Sequence, residues 1–437
     1  MAHVVCLIQH YHTPDCSTSA RPYSLIRHLA RHHDVTLIAS DAWRSRRLRH
    51  NFEWVPGAVR LIELQVPYGN RMGPLRRLSS FASYAAKSVL SGLRTPRPDV
   101  IFATSTPLTT PVVAAILSRW HGAPWVFEVR DLWPNFPIQM GAIPSTWTQN
   151  ALYGLERFLY RDAAHVIGLS PDMTDHIRQF VPASNASTVL YGSDQEIAAS
   201  ISPQKIEGYR TKILRETGSR AEKPYPSTSA APLVVAYAGS YGRANAIPTL
   251  IDTANLLRDE PDVRFVFTGD GYHAPAVQAA SRSLPSVHCL PPLAHPEALA
   301  LFAASDLSVV SFADRPVLST NSPGKLFDSL TMGTPVIVTN PGWTAAWVKE
   351  NRCGWAVPPE SAQACAEQIR SLLHRRHHLQ QAATNAADVA SRMLSREQAV
   401  RDINSVVSSA ALGHVQEGRR EQTGGLSDSL GNLQPEA

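Results

Sequence analysis

Four charged side chains stand at spacings suited to a phosphorylated substrate: Lys325 and Asp328 in one short stretch, Arg243 in another, and Asp131 in a third. Residues 321–338 read NSPGKLFDSLTMGTPVIV. Ser322 is a fitting N-cap and Pro323 a fitting first helical residue, where a missing N–H costs nothing. Leu326, Phe327 and Leu330 give a short apolar face at helical spacing. Gly333 then supplies a left-handed stop, Pro335 prevents continuation, and Val336, Ile337 and Val338 read as a buried parallel strand. A helix that opens beside small residues presents free N–H groups and a positive dipole end, which is an anion site. Lys325 in the first turn opposes that dipole, and a phosphate gives it a reason to be there. Asp328, one turn on and near the same face, is a carboxylate able to hold a diol. A cation for phosphate beside an acid for ribose is a nucleotide clamp.

Arg243 closes the run Gly239-Ser240-Tyr241-Gly242-Arg243, between a strand over 233–238 and a helix over 247–258. Strand, glycine turn and helix N-terminus are the parts of a phosphate cradle, although a lone GxxG is a weak signal. Gly269-Asp270-Gly271 ends the next strand. Asp131 sits in Arg130-Asp131-Leu132-Trp133-Pro134, at the carboxyl end of a strand over 125–129, where open α/β sheets place their ligands. It is placed to orient or partly deprotonate a hydroxyl, or else to cap the following turn with Arg130 as its partner; both readings stand. His10, His12 and Asp15 are too few for a metal site, and no second cluster completes them. No GxGxxG follows the first strand, which argues against a dehydrogenase.

These motifs resemble the retaining glycosyltransferases of family 4, which have the GT-B fold of two Rossmann-like domains facing across a cleft. The closest likeness is to the subgroup that builds bacterial surface polysaccharides, including L-fucosamine and colanic-acid transferases. The resemblance implies that Gly239, Gly242, Arg243, Gly269, Asp270, Gly271, Leu293, Asn321, Ser322, Lys325 and Asp328 bind the donor, and that Arg243 and Lys325 stabilise its departing diphosphate. Leu293 is equally readable as core, and Asn321 and Ser322 as caps. Arg21, Arg130 and Asp131 fall on the acceptor side, Asp131 in a catalytic role; Arg21 alternatively pairs with a nearby acid. The family's two-glutamate motif falls on Thr320 and Asp328, so the first carboxylate is missing. Tyr191 stands where the family usually has Asn.

The 437 residues are too many for one ordinary core. The alternation of strands and helices restarts near Leu233. The expected division is an acceptor-side domain over 1–195 with a returning helix over 395–412, a linker over 196–232, and a nucleotide-sugar domain over 233–394. A polar tail over 413–437 reads as disordered. Five scattered cysteines without a CxxC suit a reducing compartment. The amino terminus lacks the pattern of a signal peptide, and no apolar run approaches membrane-spanning length. A cytoplasmic protein is expected.

The net charge of +5 conceals an asymmetry: residues 21–97 hold fourteen Arg/Lys against four acids. That surplus calls for an anionic partner. Within it, residues 75–94 read as a helix with an apolar stripe of Leu78, Phe81, Ala82, Ala85 and Val89 and a polar face carrying Arg76, Arg77, Lys87 and Arg94. Such a helix lies on an anionic lipid surface or packs on the sheet with solvated arginines. With the lipid-linked acceptor that the resemblance implies, residues 71–97 are expected to meet the membrane; nucleic acid is not an expected partner. The resulting expectation is a cofactor-free, metal-independent transferase moving a sugar, N-acetylated or not, from a UDP-sugar to a lipid-linked glycan. A nucleotide-sugar epimerase of the same fold and an inactive nucleotide-sugar-binding partner are the alternatives.

Overall fold

The computed structural model describes residues 1–17, 20–47, 59–69, 72–218 and 231–427. Thr18 and Ser19 of the first loop, Arg71, the 219–230 part of the expected linker and residues 428–437 lie outside these. Two parallel sheets, each flanked by helices, form the GT-B architecture. The first has the order β3-β2-β1-β4-β5-β6-β7, with β1 His3–Ile8, β2 Asp34–Ser40, β3 Val59–Leu64, β4 Val100–Thr104, β5 Trp125–Val129, β6 His165–Gly168 and β7 Ala186–Thr188. The second runs β10-β9-β8-β11-β12-β13, with β8 Leu233–Ala238, β9 Val263–Thr268, β10 Val287–Leu290, β11 Leu307–Val310, β12 Val336–Val338 and β13 Gly354–Ala356.

Each order reverses once, between β1 and β4 and between β8 and β11. Loops leaving two strands in opposite directions open a crevice there, at the carboxyl ends. The strands that bound these crevices are buried on both faces, which explains their unbroken apolar runs: VVCLI in β1, LVVAYA in β8.

An apolar cluster crosses between the halves, joining Leu132, Leu169 and Tyr191 to Phe312, Leu326, Phe327 and Trp343. The last helix, Arg396–Ser427, lies on the first sheet, where Val400, Ile403 and Val407 pack with Val4, Leu25 and Leu29. It continues past Leu412, where the sequence suggests a disordered tail; the backbone there stays helical through Ser427. The segment expected as linker likewise holds two helices, Gln195–Ala199 and Pro203–Gly218. The second of these packs Ile213 against Val234 and Val266 of the second sheet. Tyr209 and Leu214 pack on the same cluster, so Ile206, Tyr209 and Ile213 give the helix an apolar face at helical spacing.

Three helices of the first half recur below: α1 Arg21–Leu29, α2 Pro74–Gly92 and α3 Thr109–His121. In α2, Ser80, Tyr84 and Ser88 face inward, the Tyr84 hydroxyl donating to the Ile38 carbonyl at 2.8 Å. Leu75, Leu78 and Leu90 face outward, 82%, 63% and 57% exposed. The stripe read from the sequence is therefore rotated: Leu78 and Ala82 lie on the outer side. The cause is close packing on α3, where a Cβ on Gly92 would stand 2.3 Å from a Leu117 methyl.

Candidate active site

The helix carrying the clamp runs over Gly324–Thr331 with Pro323, not Ser322, at its N-cap, and no side chain caps it. Ser322 Oγ and Asn321 Oδ1 are buried without a partner among the described residues. Buried polar atoms are normally satisfied: the Ser322 hydroxyl, beside an uncapped helix N-terminus, can donate to an acceptor-rich group, whereas Asn321 Oδ1 can only accept and calls for a donor. Asn321 is otherwise anchored, its carbonyl accepting from the Trp343 indole at 2.9 Å.

Lys325 bridges the second sheet's crevice. Its ammonium donates to the Tyr237 hydroxyl at 2.7 Å and to Asn245 Oδ1 at 3.3 Å, and sits 4.1 Å from the centre of the Tyr237 ring. The Tyr237 hydroxyl in turn donates to the Ser240 carbonyl at 2.7 Å. No carboxylate pairs with Lys325 among the described residues, and burial pulls its pKa down to about 7. A Cβ placed on Gly239 would lie 3.3 Å from Nζ, so the ammonium looks directly onto the glycine turn.

That turn is fixed by its neighbour. The Gly239 N–H donates to the Thr268 carbonyl at 3.0 Å, and the Tyr241 N–H to the Asp270 carbonyl at 2.9 Å. Gly269 has φ +152°, and a Cβ there would fall 1.8 Å from the Gly239 carbonyl oxygen. Only glycine allows the two turns to close this tightly. Gly271 and Gly242 complete the same pair of turns, and the Asp270 side chain is half-buried beside them. Arg243 stands exposed at the rim with its guanidinium 4.3 Å above the Tyr272 ring. Leu293 packs beside Leu290 and Leu301 in a core cluster.

Asp328 does something other than expected. Its oxygens accept from Ser193 Oγ at 2.7 Å and from His295 Nε2 at 3.1 Å, joining the chain's two halves. Burial alone would push its carboxyl up, but His295, Arg396 and Ser193 hold it below the ordinary carboxylate range. Lys325 and Asp328 are therefore not two jaws of one clamp: three residues of helix turn them toward different partners. Thr320 contributes its carbonyl, which accepts from Ser170 Oγ at 2.6 Å across the halves.

On the facing side, Arg21 is corrected as well. It is 1% exposed and its donors are spent on Glu128 at 2.8 Å and on the Leu190 and Tyr191 carbonyls at 3.0 and 2.6 Å. A buried carboxylate draws the nearest guanidinium to itself, so Arg21 holds β5 to the 190–191 turn instead of touching substrate. Burial would raise Glu128, but Arg21 and Arg130 keep its pKa low.

Arg130 and Asp131 leave β5 beside β4, the Arg130 N–H donating to Ser105 Oγ at 3.0 Å. Burial pushes Asp131 up to about 6 against the pull of Arg130. Tyr191 ties this loop to the clamp helix. Its side chain acts electrostatically on Arg130, and its ring stacks on Phe327 and stands 3.0 Å from where a Cβ on Gly324 would be. Tyr191 thus links the loop of Asp131 to the helix of Lys325. The arrangement offers two cations and free helix N–H groups to an anion on one side, and a carboxyl poised near neutrality on the other.

Sequence reasoning missed Tyr237, Asn245 and His295. Tyr237 was reachable, since it precedes Gly239 by two and shares its side of β8; nothing in the spacing signals His295. Among the described residues no cluster of three or more His, Cys, Asp or Glu is arranged for a metal. A cavity of about 520 Å³ lies elsewhere, where the chain crosses between halves, and is lined in part by Asp15, Arg27, Asp194, Glu297 and Glu397.

Comparison with known proteins agrees with this layout. Residues 18–192 match the family "Glycosyl transferase 4-like domain" and residues 232–375 match "Glycosyl transferases group 1". The Escherichia coli protein WcaI, named for colanic acid biosynthesis glycosyl transfer, is 24% identical over 381 residues, covering 84% of this chain and 86% of its own. The Anabaena protein HepE, solved with UDP-glucose, superposes with a TM-score of 0.65 at 19% identity, covering 94% of this chain and all of its own. Sucrose-phosphate synthase from Thermosynechococcus elongatus gives 0.69 at 15%, covering 94% and 99%. With one family on the seven-stranded half and the other on the six-stranded half, the chain belongs to the family 4 type glycosyltransferases of GT-B fold.

Proposed function

We propose that this transferase moves a sugar from a UDP-sugar to a lipid-linked glycan in surface polysaccharide assembly, with retention of configuration, while resting on the cytoplasmic face of a membrane. The observation that carries the proposal is the grouping at the β8/β11 reversal: an uncapped helix, Lys325 without a counter-ion among the described residues, and Arg243 at the rim. Glycosyl transfer breaks the anomeric C–O bond and puts negative charge on the leaving diphosphate. Fixed cations and N–H dipoles aimed at that charge lower the barrier without reorganising. Arg243 and Lys325 supply them here, so the reaction is written without a metal. Asp131 orients the acceptor hydroxyl and draws its proton as the new bond forms. Because one cleft carboxyl does not make a facing pair, retention is assigned to a same-face route in which that proton ends on the departing phosphate. Uridine is the proposed base by likeness to the relative bound to UDP-glucose.

The outer face of α2 supports the membrane. Leu75, Leu78 and Leu90 stand out into solvent, flanked by the exposed Arg76, Lys87, Arg94 and Arg97. Apolar residues that insert among basic ones that attract headgroups are the parts of an interfacial helix. No described helix is long and apolar enough to cross a membrane.

The testing experiment is a thermal-shift panel of nucleotides and nucleotide sugars, since a ligand of the folded state raises its stability. UDP and one or more UDP-sugars should raise Tm, with no response to NAD. Equal responses to all nucleotides, or none to UDP, would overturn the donor assignment. UDP-sugar turnover that needs no acceptor would point to an epimerase.

A further inference from the structure

At the reversal of the first sheet, β1 and β4 open the second crevice, and four aromatic rings gather there. His10 follows β1, Tyr68 follows β3, Phe81 lies on α2, and Trp133 belongs to the loop of Asp131. His10 and Tyr68 are 4.4 Å apart between ring centres, Tyr68 stacks on Phe81 at 5.8 Å, and Phe81 meets Trp133 edge-on at 6.3 Å. All four are half-buried, neither sealed in the core nor free on the surface. We propose that these rings form a saccharide-stacking subsite, on which a pyranose of the acceptor lays its C–H face beside Asp131.

The alternative occupant is an alkyl chain, and the polar atoms decide against it. Both side-chain amide atoms of Gln9, which is 1% exposed, and the indole Nε1 of Trp133 are buried without a partner among the described residues. Gln9 precedes His10 and shares the α2-facing side of β1 with Val5 and Leu7, which pack in the same cluster as Tyr84. An unsatisfied amide and indole N–H are costly under an apolar ligand and are relieved by one that carries hydroxyls. A sugar has both needed surfaces: axial C–H groups that pack on an electron-rich ring face, and an equatorial rim of hydroxyls. Apolar side chains fit for a lipid, Leu75, Leu78 and Leu90, instead lie on the outer side of α2. Position fits too, since Trp133 is two residues from Asp131. A ring held against it brings a hydroxyl to the carboxyl.

The proposal rests on the transferase reading but is tested apart from it. Methyl glycosides of glucose, galactose, N-acetylglucosamine and L-fucose are offered to the full-length protein and followed by saturation-transfer NMR. One or more should take saturation on its ring C–H protons. Tyr68→Leu and Phe81→Leu, which keep apolar bulk but remove the aromatic face, should each weaken that signal about threefold or more. Tm and UDP titration on the same samples report folding and the donor site, and both should match the unsubstituted protein. If UDP fails to bind while a glycoside does, the donor reading falls and the stacking subsite stands. No transfer to any glycoside, transfer unchanged in both variants, or transfer only to the chain of a decyl glycoside would overturn the subsite.

Discussion

Raising the pH should release the donor nucleotide long before an ordinary lysine would lose its proton. Lys325 is held by a phenol, a carboxamide and a ring face, and burial brings its pKa to about 7 instead of 10.5. The diphosphate needs the ammonium. Once the solution pH passes the pKa of the empty enzyme, each binding event must first return a proton, and the apparent Kd climbs about tenfold per unit, or about 1.4 kcal/mol. The terminal phosphate of UDP titrates near about 6, so the clean window is about pH 7.5 to 9, where the nucleotide's own charge is constant. Across it, UDP affinity should fall roughly 20- to 30-fold, and calorimetry in two buffers of different ionisation enthalpy should show proton uptake that rises toward one per UDP. Lys325→Arg stays charged, so its affinity, weaker overall, should be flat over the same range. Stability of the empty protein moves oppositely: between about 7 and 10.5 the unfolded chain holds this proton and the folded one does not, so stability rises with pH. A UDP Kd that stays constant in the unsubstituted protein from about pH 7.5 to 9 would refute the argument.

Asp131, raised to about 6, must be ionised to draw a proton, so kcat/KM should climb with pH through about 6 and Asp131→Asn should lose both the climb and most of the rate. The unsubstituted enzyme then has a narrow optimum between that rise and the fall set by Lys325, read from a pH–rate profile. Arg21→Ala strands Glu128 in the interior and should cost about 3–5 kcal/mol, seen as a lower Tm. Adding Glu128→Gln should restore part of it; an unchanged Tm with a raised acceptor KM would put Arg21 back at the substrate. Gly269→Ala drives a methyl into the Gly239 carbonyl, only 1.8 Å from the added carbon, so UDP binding should vanish in titration while the first half still unfolds cooperatively.

What the sequence discloses here follows from the range of the interaction that fixes each feature. Strands buried on both faces are written in contiguous apolar runs, and a glycine at φ +152° is written in its own identity, so the alternation of β8, its turn and the clamp helix is legible. Charge pairing is not. Arg21 meets Glu128, 107 positions away, and Asp328 meets Ser193, 135 positions away; each choice depends on which buried carboxylate the finished fold brings nearest. The outward leucines of α2 show the intermediate case. Helical spacing gives two faces, but which face turns inward depends on whether Gly92 admits Leu117 of α3. The same reasoning separates the two cations. Arg243 sits at a rim where water can serve it, so it gains little from any fixed partner. Lys325 is half-buried with a phenol, a carboxamide and a ring face as partners and no carboxylate among the described residues, and an entering anion would supply the missing counter-charge. A lysine with no acid partner among the described residues is thus better evidence for the donor site than the spacing from which it was first read.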